Sequence, residues 1–229
     1  MALAKKNIAA LYQKRARHYD YSANFYYLLG IRETAYRKAA VEALKLEHGD
    51  TVVEIGCGTG LNFRLLRDRV GGEGKIIGVD LTAEMLAAAV RRIERNKWTN
   101  IELVQCDAGA YPFPEYVDGI ISTFAITLVA EYDEIIKRGA AALAPGKRLA
   151  ILDFKLPPGW PMWLVKFFVG LTRPFGVTLD LADRHPWESI ERYLDLKEFK
   201  SFYFGGIYIA SGAKRKGEAF TLGIFYPQH

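Results

Sequence analysis

The sequence predicts an α/β protein with a doubly wound, mainly parallel sheet. Short runs rich in β-branched residues alternate with amphipathic helical segments, and a glycine-rich turn follows the first of these runs. Alternation at this spacing produces right-handed strand–helix–strand crossovers, which give parallel strands. The chain has 229 residues, half of them hydrophobic, which is enough for one sizeable core and short for two. We therefore expect a single domain.

The individual elements follow from the hydrophobic periodicity. Strands are predicted at 51–55, 75–80, 101–105, 117–122 and 147–154, and helices at 60–70, 82–96 and 131–144. Thr82 is the predicted N-cap of the second of these helices. In the last third, Pro186 begins a predicted helix at 186–194, and 198–211 is predicted as a hairpin that turns at Gly205 and Gly206. A final run at 218–226 is a candidate edge strand.

The composition argues against several classes of protein. No run of 18 or more uncharged apolar residues predicts a transmembrane helix, and the N-terminus lacks the pattern of a secretory signal. Cys57 and Cys106 are predicted at the ends of strands separated by another strand, roughly 9–10 Å apart, which is too far for a disulfide. The four histidines lie in no pattern typical of a metal site. We expect no metal.

The net charge of +5 matters mainly through its distribution. Basic residues concentrate in the first predicted helix, at Lys5, Lys6, Lys14, Arg15 and Arg17, and again at 214–216. Such a cluster is either a solvated face or a surface for an anionic membrane. No recognition motif for nucleic acid accompanies the charge, so we expect no nucleic-acid partner.

The glycine-rich turn indicates a ligand site. Gly56, Gly58 and Gly60 follow the first strand in the spacing G-x-G-x-G, whereas dinucleotide-binding turns have G-x-G-x-x-G or A. Leu61 stands where the third small residue is needed, and the preceding Glu54 repels a pyrophosphate. An amino-acid headgroup satisfies both features, with its carboxylate toward the turn and its ammonium toward Glu54.

Two further acids end neighbouring strands. Asp80 lies where nucleotide folds place an acid that binds ribose hydroxyls, although it is also a suitable helix N-terminal carboxylate. Asp107 is a candidate for the exocyclic amine of adenine or, alternatively, a loop cap. Leu81 and Met85 are candidates to sandwich the adenine ring, and Met85 is equally suited to the core.

Taken together, these segments resemble the successive motifs of class I S-adenosylmethionine-dependent methyltransferases. The motifs are VVEIGCGTG, IIGVDLT, QCDAGAYPFP, YVDGIIS and LAPGKRLAILDF, in the family's order over residues 50–155. The resemblance implies a seven-stranded sheet of order 3-2-1-4-5-7-6 with the last strand antiparallel, and S-adenosylhomocysteine as the product. It implies that the cofactor contacts Glu54, Gly56, Cys57, Gly58, Gly60, Asp80, Leu81, Met85, Asp107, Ala108, Ser122 and Thr123. The predicted organisation is a helical cap at 1–46, a cofactor-binding core at 47–155, and a substrate-side segment with the C-terminal hairpin at 156–229.

The flanking segments bear on the methyl acceptor. Residues 18–44 are similar to the segment preceding the core in methyltransferases of quinones and phospholipids, which implies that Tyr19, with His18, faces the methyl-transfer cleft and that Tyr21 contacts substrate. Alternatively, Tyr19 is a packing residue. Residues 182–194 and 202–212 resemble the C-terminal pattern of bacterial phospholipid and betaine-lipid N-methyltransferases. By that likeness Arg184 and His185 bind the lipid phosphate, unless Arg184 simply pairs with Asp183 or Glu188.

From these features we expect N-methylation of a phospholipid amine such as that of phosphatidylethanolamine. The basic first helix, and the tryptophans with isolated cations at 160–175, are typical of a surface that dips into lipid headgroups, although both segments also suit ordinary packing. We expect a monomeric cytoplasmic enzyme, peripheral on the inner face of the membrane. The alternatives are a C-methyltransferase of a prenylated quinone precursor and a soluble small-molecule methyltransferase. The complete glycine turn disfavours a non-enzymatic binding domain.

Overall fold

The computed structural model describes residues 32–157, 159–161, 163, 170 and 183–216. The predicted basic first helix, most of the substrate-side segment at 156–182 and the candidate edge strand at 218–226 lie outside these residues. Within them the strands are β1 (Thr51–Ile55), β2 (Lys75–Asp80), β3 (Ile101–Gln105), β4 (Val117–Thr123), β5 (Leu143–Phe154), β6 (Asp195–Phe202) and β7 (Ile207–Ala213). The α-helices are α1 (Glu33–Ala43), α2 (Phe63–Val70), α3 (Ala83–Asn96), α4 (Tyr132–Ala142) and α5 (Pro186–Tyr193).

All seven strands belong to one sheet in the order β3-β2-β1-β4-β5-β7-β6. The first five are joined by parallel pairings, and β7 runs antiparallel to both β5 and β6. This confirms the predicted fold, including the antiparallel last strand. The hairpin turns through Tyr203–Gly205, as predicted from the glycine pair.

The largest differences between predicted and observed element boundaries have identifiable causes. The helix predicted from residue 60 begins at Phe63, because Gly60 has a φ of 77° and belongs to the turn. The strand predicted from residue 147 begins at Leu143, which pairs with Val117 ahead of a register shift in β4. The preceding helix, predicted to residue 144, accordingly ends at Ala142.

Helices cover both faces of the sheet, which explains why the strands are hydrophobic along almost their whole length. On one face, Val52, Ile76 and Ile121 pack against α1, α2 and α3. On the other face, Val53 and Ile77 belong to the cluster that contains the buried residues of α4 and α5. The sheet therefore forms the middle layer of the core.

The order in which strands are added to the sheet reverses between the parallel strands β1 and β4: from β1 the chain goes on to β2 and β3 on one side, and from β4 to β5 on the other. Ligands of open α/β sheets bind at such a switch point, outside the carboxyl ends of the strands. The same edge carries the glycine turn after β1. None of the described helices is long and apolar enough to cross a membrane.

Candidate active site

An open cleft lies at this carboxyl edge, where small-molecule ligands of such sheets bind. Its walls come from the glycine turn, the start of α3, and the loops after β3 and β4. The lining residues are Arg37, 55–59, Leu61, 79–82, Met85, 106–108, 123–125 and 128–129. The cleft therefore gathers residues from elements far apart in the sequence.

The glycine turn depends on backbone conformations that other residues rarely adopt. Gly56, Gly58 and Gly60 all have positive φ, between 54° and 77°. A Cβ at Gly60 would lie 2.4 Å from the Phe63 ring, whereas a Cβ at Gly58 would have no neighbour within 4 Å. Gly60 therefore serves the packing of α2, and it is not among the residues lining the cleft. Gly58 leaves open space for a ligand.

The amide groups of the turn are already engaged by the protein. Gly56 and Cys57 donate to the Val79 carbonyl at 2.8 and 3.0 Å, and Gly60 donates to the Cys57 carbonyl. Gly58 donates to Asp80 Oδ2 at 2.8 Å. This corrects the expectation that a carboxylate binds at these amides, because a donor already bonded at ideal distance has no hydrogen left to offer.

Asp80 fastens the turn to the start of α3. Its Oδ1 accepts from the amide of Thr82 at 2.8 Å, and Thr82 is the N-cap of α3, as predicted, although it makes no side-chain cap hydrogen bond. Burial raises the pKa of Asp80, and the amide hydrogen bonds from Thr82 and Gly58 oppose that rise. Asp80 thus acts as a carboxylate at the helix N-terminus, which was the alternative to ribose binding. Each carboxylate oxygen has further acceptor capacity, so ribose hydroxyls remain a predicted partner.

The remaining predicted contacts of adenine surround the far end of the cleft. Leu81, Met85 and Ala108 give it an apolar wall. Met85 is also fully buried, so it serves the core as well. Asp107 lines the cleft and accepts from the Gly109 amide at 2.9 Å, which is the loop-capping role.

Glu54 lies beneath the turn, outside the cleft lining. The side chain is buried, with Oε1 accepting from Asn62 Nδ2 at 2.6 Å and Oε2 left without a partner. Burial raises the pKa of Glu54 to about 8, against the lowering effects of the Asn62 hydrogen bond and of the Arg37 charge. In the ligand-free protein this carboxyl therefore holds a proton at neutral pH. Because Oε1 accepts from Asn62, the proton belongs on Oε2, which has no hydrogen-bond partner within the described residues.

Arg37 was not singled out from the sequence. It reaches from α1 into the cleft and donates from Nη1 to Thr123 Oγ1 at 2.6 Å and to Asn62 Oδ1 at 3.3 Å. Asn62 also donates to Thr123, so Arg37, Thr123, Asn62 and Glu54 form one buried network. The signal that could have found Arg37 is weak, since an arginine four residues after Glu33 is typical of a surface helix.

The other predicted site residues fall into three groups. Ser122 is buried and donates to the Ile55 carbonyl at 2.9 Å, away from the cleft lining, whereas Thr123 and Cys57 line it. Arg184 donates to the Thr127 carbonyl at 2.6 Å, and His185 pairs with Glu188. Tyr19, His18 and Tyr21 lie outside the described residues.

These residues suit S-adenosylmethionine. The open space at Gly58 admits a ligand close to the backbone. Glu54, beneath the turn, stays the predicted partner of an ammonium group, and its Oε2 has no partner within the described residues. The carboxylate of Asp80 and the apolar wall at Leu81 and Ala108 suit a ribose and an aromatic base. No group of three or more His, Cys, Asp or Glu in the described ranges is placed to hold a metal.

Comparison with known proteins supports this assignment. Residues 52–146 match the family described as a methyltransferase domain. The chain is 32% identical over 194 residues to a 2-phytyl-1,4-naphthoquinone methyltransferase from Thermosynechococcus vestitus, an alignment covering 82% of this chain and 84% of that protein. The chain belongs to the S-adenosylmethionine-dependent methyltransferases of class I.

Two further likenesses place the methyltransferase among its relatives. It is 26% identical over 144 residues to a demethylmenaquinone methyltransferase from Listeria welshimeri, covering 62% of this chain and 61% of that one. A crystal structure of a phosphoethanolamine N-methyltransferase from Haemonchus contortus superimposes with a TM-score of 0.61 at 18% identity, over 79% of this chain and 52% of that chain. The second likeness shows a shared fold.

A pair of glycine substitutions separates packing from ligand binding in this methyltransferase. Both Gly58→Ala and Gly60→Ala place a Cβ on a left-handed backbone, which costs about 1–2 kcal/mol. Gly60→Ala adds overpacking against Phe63, worth about 1–3 kcal/mol more. We therefore expect Gly60→Ala to lower the melting temperature further, and Gly58→Ala to weaken S-adenosylmethionine binding further. Thermal unfolding ranks the two variants by melting temperature, and titration calorimetry ranks them by affinity for S-adenosylmethionine. The reverse ranking in either measurement would contradict the roles assigned to these glycines.

Glu54→Gln is expected to stabilise the cofactor-free protein increasingly as the pH rises. The folded carboxyl binds its proton up to about pH 8, whereas in the unfolded chain it loses the proton near 4.5. Between these values the folded state holds more protons, so wild-type stability falls as the pH rises through this window. Glutamine does not titrate, so the variant avoids this loss.

Melting temperatures of wild type and Glu54→Gln from about pH 5 to about pH 8.5 test this expectation. The proteins share every other titrating group, including Asp153, whose burial raises its pKa to about 6, so their difference isolates Glu54. A constant difference across the range would show that the Glu54 carboxyl is ionised in the fold. With saturating S-adenosylmethionine we expect the variant to gain less stability than the wild type, because it has no charge to offer the ammonium.

Proposed function

We propose that this methyltransferase acts on a ring carbon of a prenylated quinone precursor. The observation that carries the proposal is the likeness to the 2-phytyl-1,4-naphthoquinone methyltransferase, which covers more than four-fifths of both chains. An alignment of that length extends well beyond the cofactor-binding core at 47–155. It therefore includes segments that contact the acceptor, where methyltransferases of different substrates differ most.

A series of aromatic rings at the cleft entrance supports a ring-bearing, prenylated acceptor. Phe124 lines the cleft and packs against Phe154 with ring centroids 4.8 Å apart. Phe154 ends β5 opposite the start of β7, next to the hairpin turn that carries Tyr203 and Phe204. Phe204 is 80% exposed. We propose that these rings form an apolar path from the cleft to the exterior, as an aromatic headgroup with a long hydrocarbon tail requires.

The reaction forms one carbon–carbon bond and breaks one carbon–sulfur bond. When bound, S-adenosylmethionine supplies a methyl group activated by its sulfonium. The quinol ring carbon is the nucleophile, and its proton leaves to solvent or a base as S-adenosylhomocysteine is released. Within the described residues the protein contributes alignment and exclusion of water, through Phe124, Leu128 and Val129 at the cleft wall. Tyr19 and His18 stay predicted contacts of the acceptor.

N-methylation of a phospholipid amine is the weaker hypothesis. The phosphoethanolamine N-methyltransferase shares the fold at 18% identity, which carries no information about the acceptor. Arg184, proposed from the sequence as a phosphate ligand, is engaged with the Thr127 carbonyl, and His185 is engaged with Glu188. A single contact leaves an arginine with further N–H donors, so the weaker standing of this hypothesis rests on the low identity of that neighbour.

A prenylated acceptor implies a membrane-associated enzyme. We propose that the protein binds peripherally to the cytoplasmic face of the membrane, using the basic first helix and the exposed hairpin turn at Phe204. Anionic lipid attracts basic residues by about 1 kcal/mol per charge near the surface, and exposed aromatic rings favour the headgroup layer. A monomer is sufficient for this arrangement.

Transfer of labelled methyl groups distinguishes the acceptors. The protein is incubated with methyl-labelled S-adenosylmethionine and vesicles containing 2-phytyl-1,4-naphthoquinone reduced to its quinol, with phosphatidylethanolamine present in the same vesicles. We expect the label in the naphthoquinone, in a bond stable to acid and base. Label in phospholipid would overturn the quinone proposal and support N-methylation. Label in neither lipid class would overturn both.

Phe204→Asn is expected to impair the use of long-tailed acceptors. It removes an exposed apolar ring on the hairpin turn, and asparagine tolerates the left-handed conformation of Phe204, whose φ is 55°. We expect a higher KM for the phytylated quinol, with little change for a short-tailed analogue or for S-adenosylmethionine. Steady-state kinetics with the two acceptors measure the difference.

Tyr116→Asn provides a matched control. Tyr116 is 72% exposed and also has a left-handed φ, of 59°, but it precedes β4 at the opposite edge of the sheet. Its replacement should leave the KM for both acceptors unchanged. Equal effects of the two substitutions would show that Phe204 has no special relation to the acceptor tail.

A further inference from the structure

The cofactor of this family ends in an amino-acid headgroup, and its carboxylate needs hydrogen-bond donors. The expected donors were the amides of the glycine turn. Those of Gly56, Cys57, Gly58 and Gly60 are all bonded within the protein, at 2.8–3.0 Å. A carboxylate placed beside them without another donor would lose its hydration with nothing in return, which is costly. Because these four amides are engaged, a side chain that lines the cleft becomes a candidate donor.

Arg37 is the cationic side chain among the residues lining the cleft. It is only 7% exposed, and it enters from α1, on the side where Gly56 and Thr123 line the cleft. The other charged residues of the lining, Asp80 and Asp107, are acids. A carboxylate would be repelled by these acids, so the Arg37 end of the cleft is where its charge is balanced.

The guanidinium group of Arg37 is held in place by hydrogen bonds, but these bonds do not engage all of its N–H donors. Glu33 Oε1 accepts from Nε at 2.8 Å and contacts Nη2 at 2.7 Å, while Nη1 donates to Thr123 and Asn62. Arginine has five N–H groups, and these contacts engage four. One N–H on Nη2 has no partner in the described part of the chain. The Asn62 contact, at 3.3 Å, is the longest of the set and the easiest to exchange.

The surroundings fix the direction in which this group can act. The guanidinium lies 5.4 Å from the centre of the Phe124 ring, which covers one of its faces. Glu33 occupies one edge and itself is buried, with Oε2 unpartnered. An arginine restrained on these sides keeps its remaining donor oriented, and a preorganised donor loses less entropy when it binds an anion.

We infer that Arg37 binds the carboxylate of the methionyl end of S-adenosylmethionine, and that Glu33 positions Arg37 for this role. The headgroup then lies between two parts of one buried network. Its carboxylate contacts Arg37, and its ammonium approaches the unpartnered oxygen of Glu54, which Asn62 links to Arg37. This inference concerns the cofactor alone and does not depend on the identity of the methyl acceptor.

Decarboxylated S-adenosylmethionine tests the inference directly, because it differs from the cofactor only by the carboxylate. Titration calorimetry of the cofactor and the analogue with wild-type protein gives a preference ratio. Since hydrogen bonds to charged groups are worth a factor of about 10–100 in affinity, we expect the wild type to prefer the carboxylated form by about that factor. Equal affinity for the two ligands would overturn the inference without recourse to any variant.

The variant Arg37→Gln then tests whether Arg37 causes the preference for the carboxylated ligand. We expect this variant to lose affinity for S-adenosylmethionine by about 10–100-fold while its affinity for the decarboxylated analogue changes little, so that the ratio approaches one. Equal losses for both ligands would show that Arg37 only supports the fold. Arg37→Lys keeps the charge and should retain part of the preference. It also serves as the test if Arg37→Gln does not fold.

Two further variants complete the experiment. Arg69→Gln is the matched control, because Arg69 also pairs with a glutamate, Glu42, but at an exposed position away from the cleft. It should leave both affinities unchanged. Glu33→Gln should narrow the preference ratio without altering binding of the decarboxylated analogue. An unchanged ratio in Glu33→Gln would remove Glu33 from the positioning role and leave Arg37 as the only assigned residue.

Discussion

The hydrogen bond from Asn62 to Glu54 joins the first strand to the second helix directly beneath the glycine turn, and the rest of the site is arranged around it. A carboxyl group buried at this depth is tolerated only if it is hydrogen-bonded or protonated, and here it is both. Asn62 also contacts Thr123 at the end of β4 and Arg37 of α1. Four elements that are distant in sequence therefore meet through one amide side chain.

This network changes which groups recognise the ligand. In dinucleotide-binding folds the turn amides and the helix N-terminus bind a phosphate directly. In this methyltransferase the amides hold the turn against Val79 and Asp80, so the turn itself is a rigid wall. Recognition of a zwitterionic headgroup passes to side chains beneath and beside the turn. That arrangement disfavours a pyrophosphate on two grounds, since the amides are engaged and Glu54 and Asp80 are acids.

Cofactor and acceptor sides of the cleft are connected through Phe124. Its ring covers the Arg37 guanidinium and also packs against Phe154, from which aromatic side chains continue to the hairpin turn. The residue has a left-handed φ of 54°, a conformation that costs free energy and persists where the surrounding contacts demand it. Phe124 thus lies between the polar, buried Arg37 network and the side of the cleft where we propose that the acceptor binds.

Local sequence determined most of the fold. The strands predicted at 51–55, 75–80 and 101–105 have those bounds in the structure, because each is a short run rich in β-branched residues that ends at glycine or polar residues. The order of the sheet was implied by the motif series rather than by any single segment. Where prediction of boundaries differed, at Gly60 and Leu143, a positive φ and a long-range strand pairing decided the outcome.

In the candidate site, too, some features were predictable from the sequence and others depend on the tertiary structure. Glycine spacing and the acids after β1, β2 and β3 indicated the cofactor, since these residues are close in sequence to the strand ends that position them. Only the tertiary structure decided that the turn amides are engaged, that Gly60 serves Phe63, and that Arg37 reaches the cleft. Each of these depends on contacts between elements many residues apart, such as the 86 positions that separate Arg37 from Thr123. Periodicity within a helix shows which face is buried, but not which buried group another element will place opposite it.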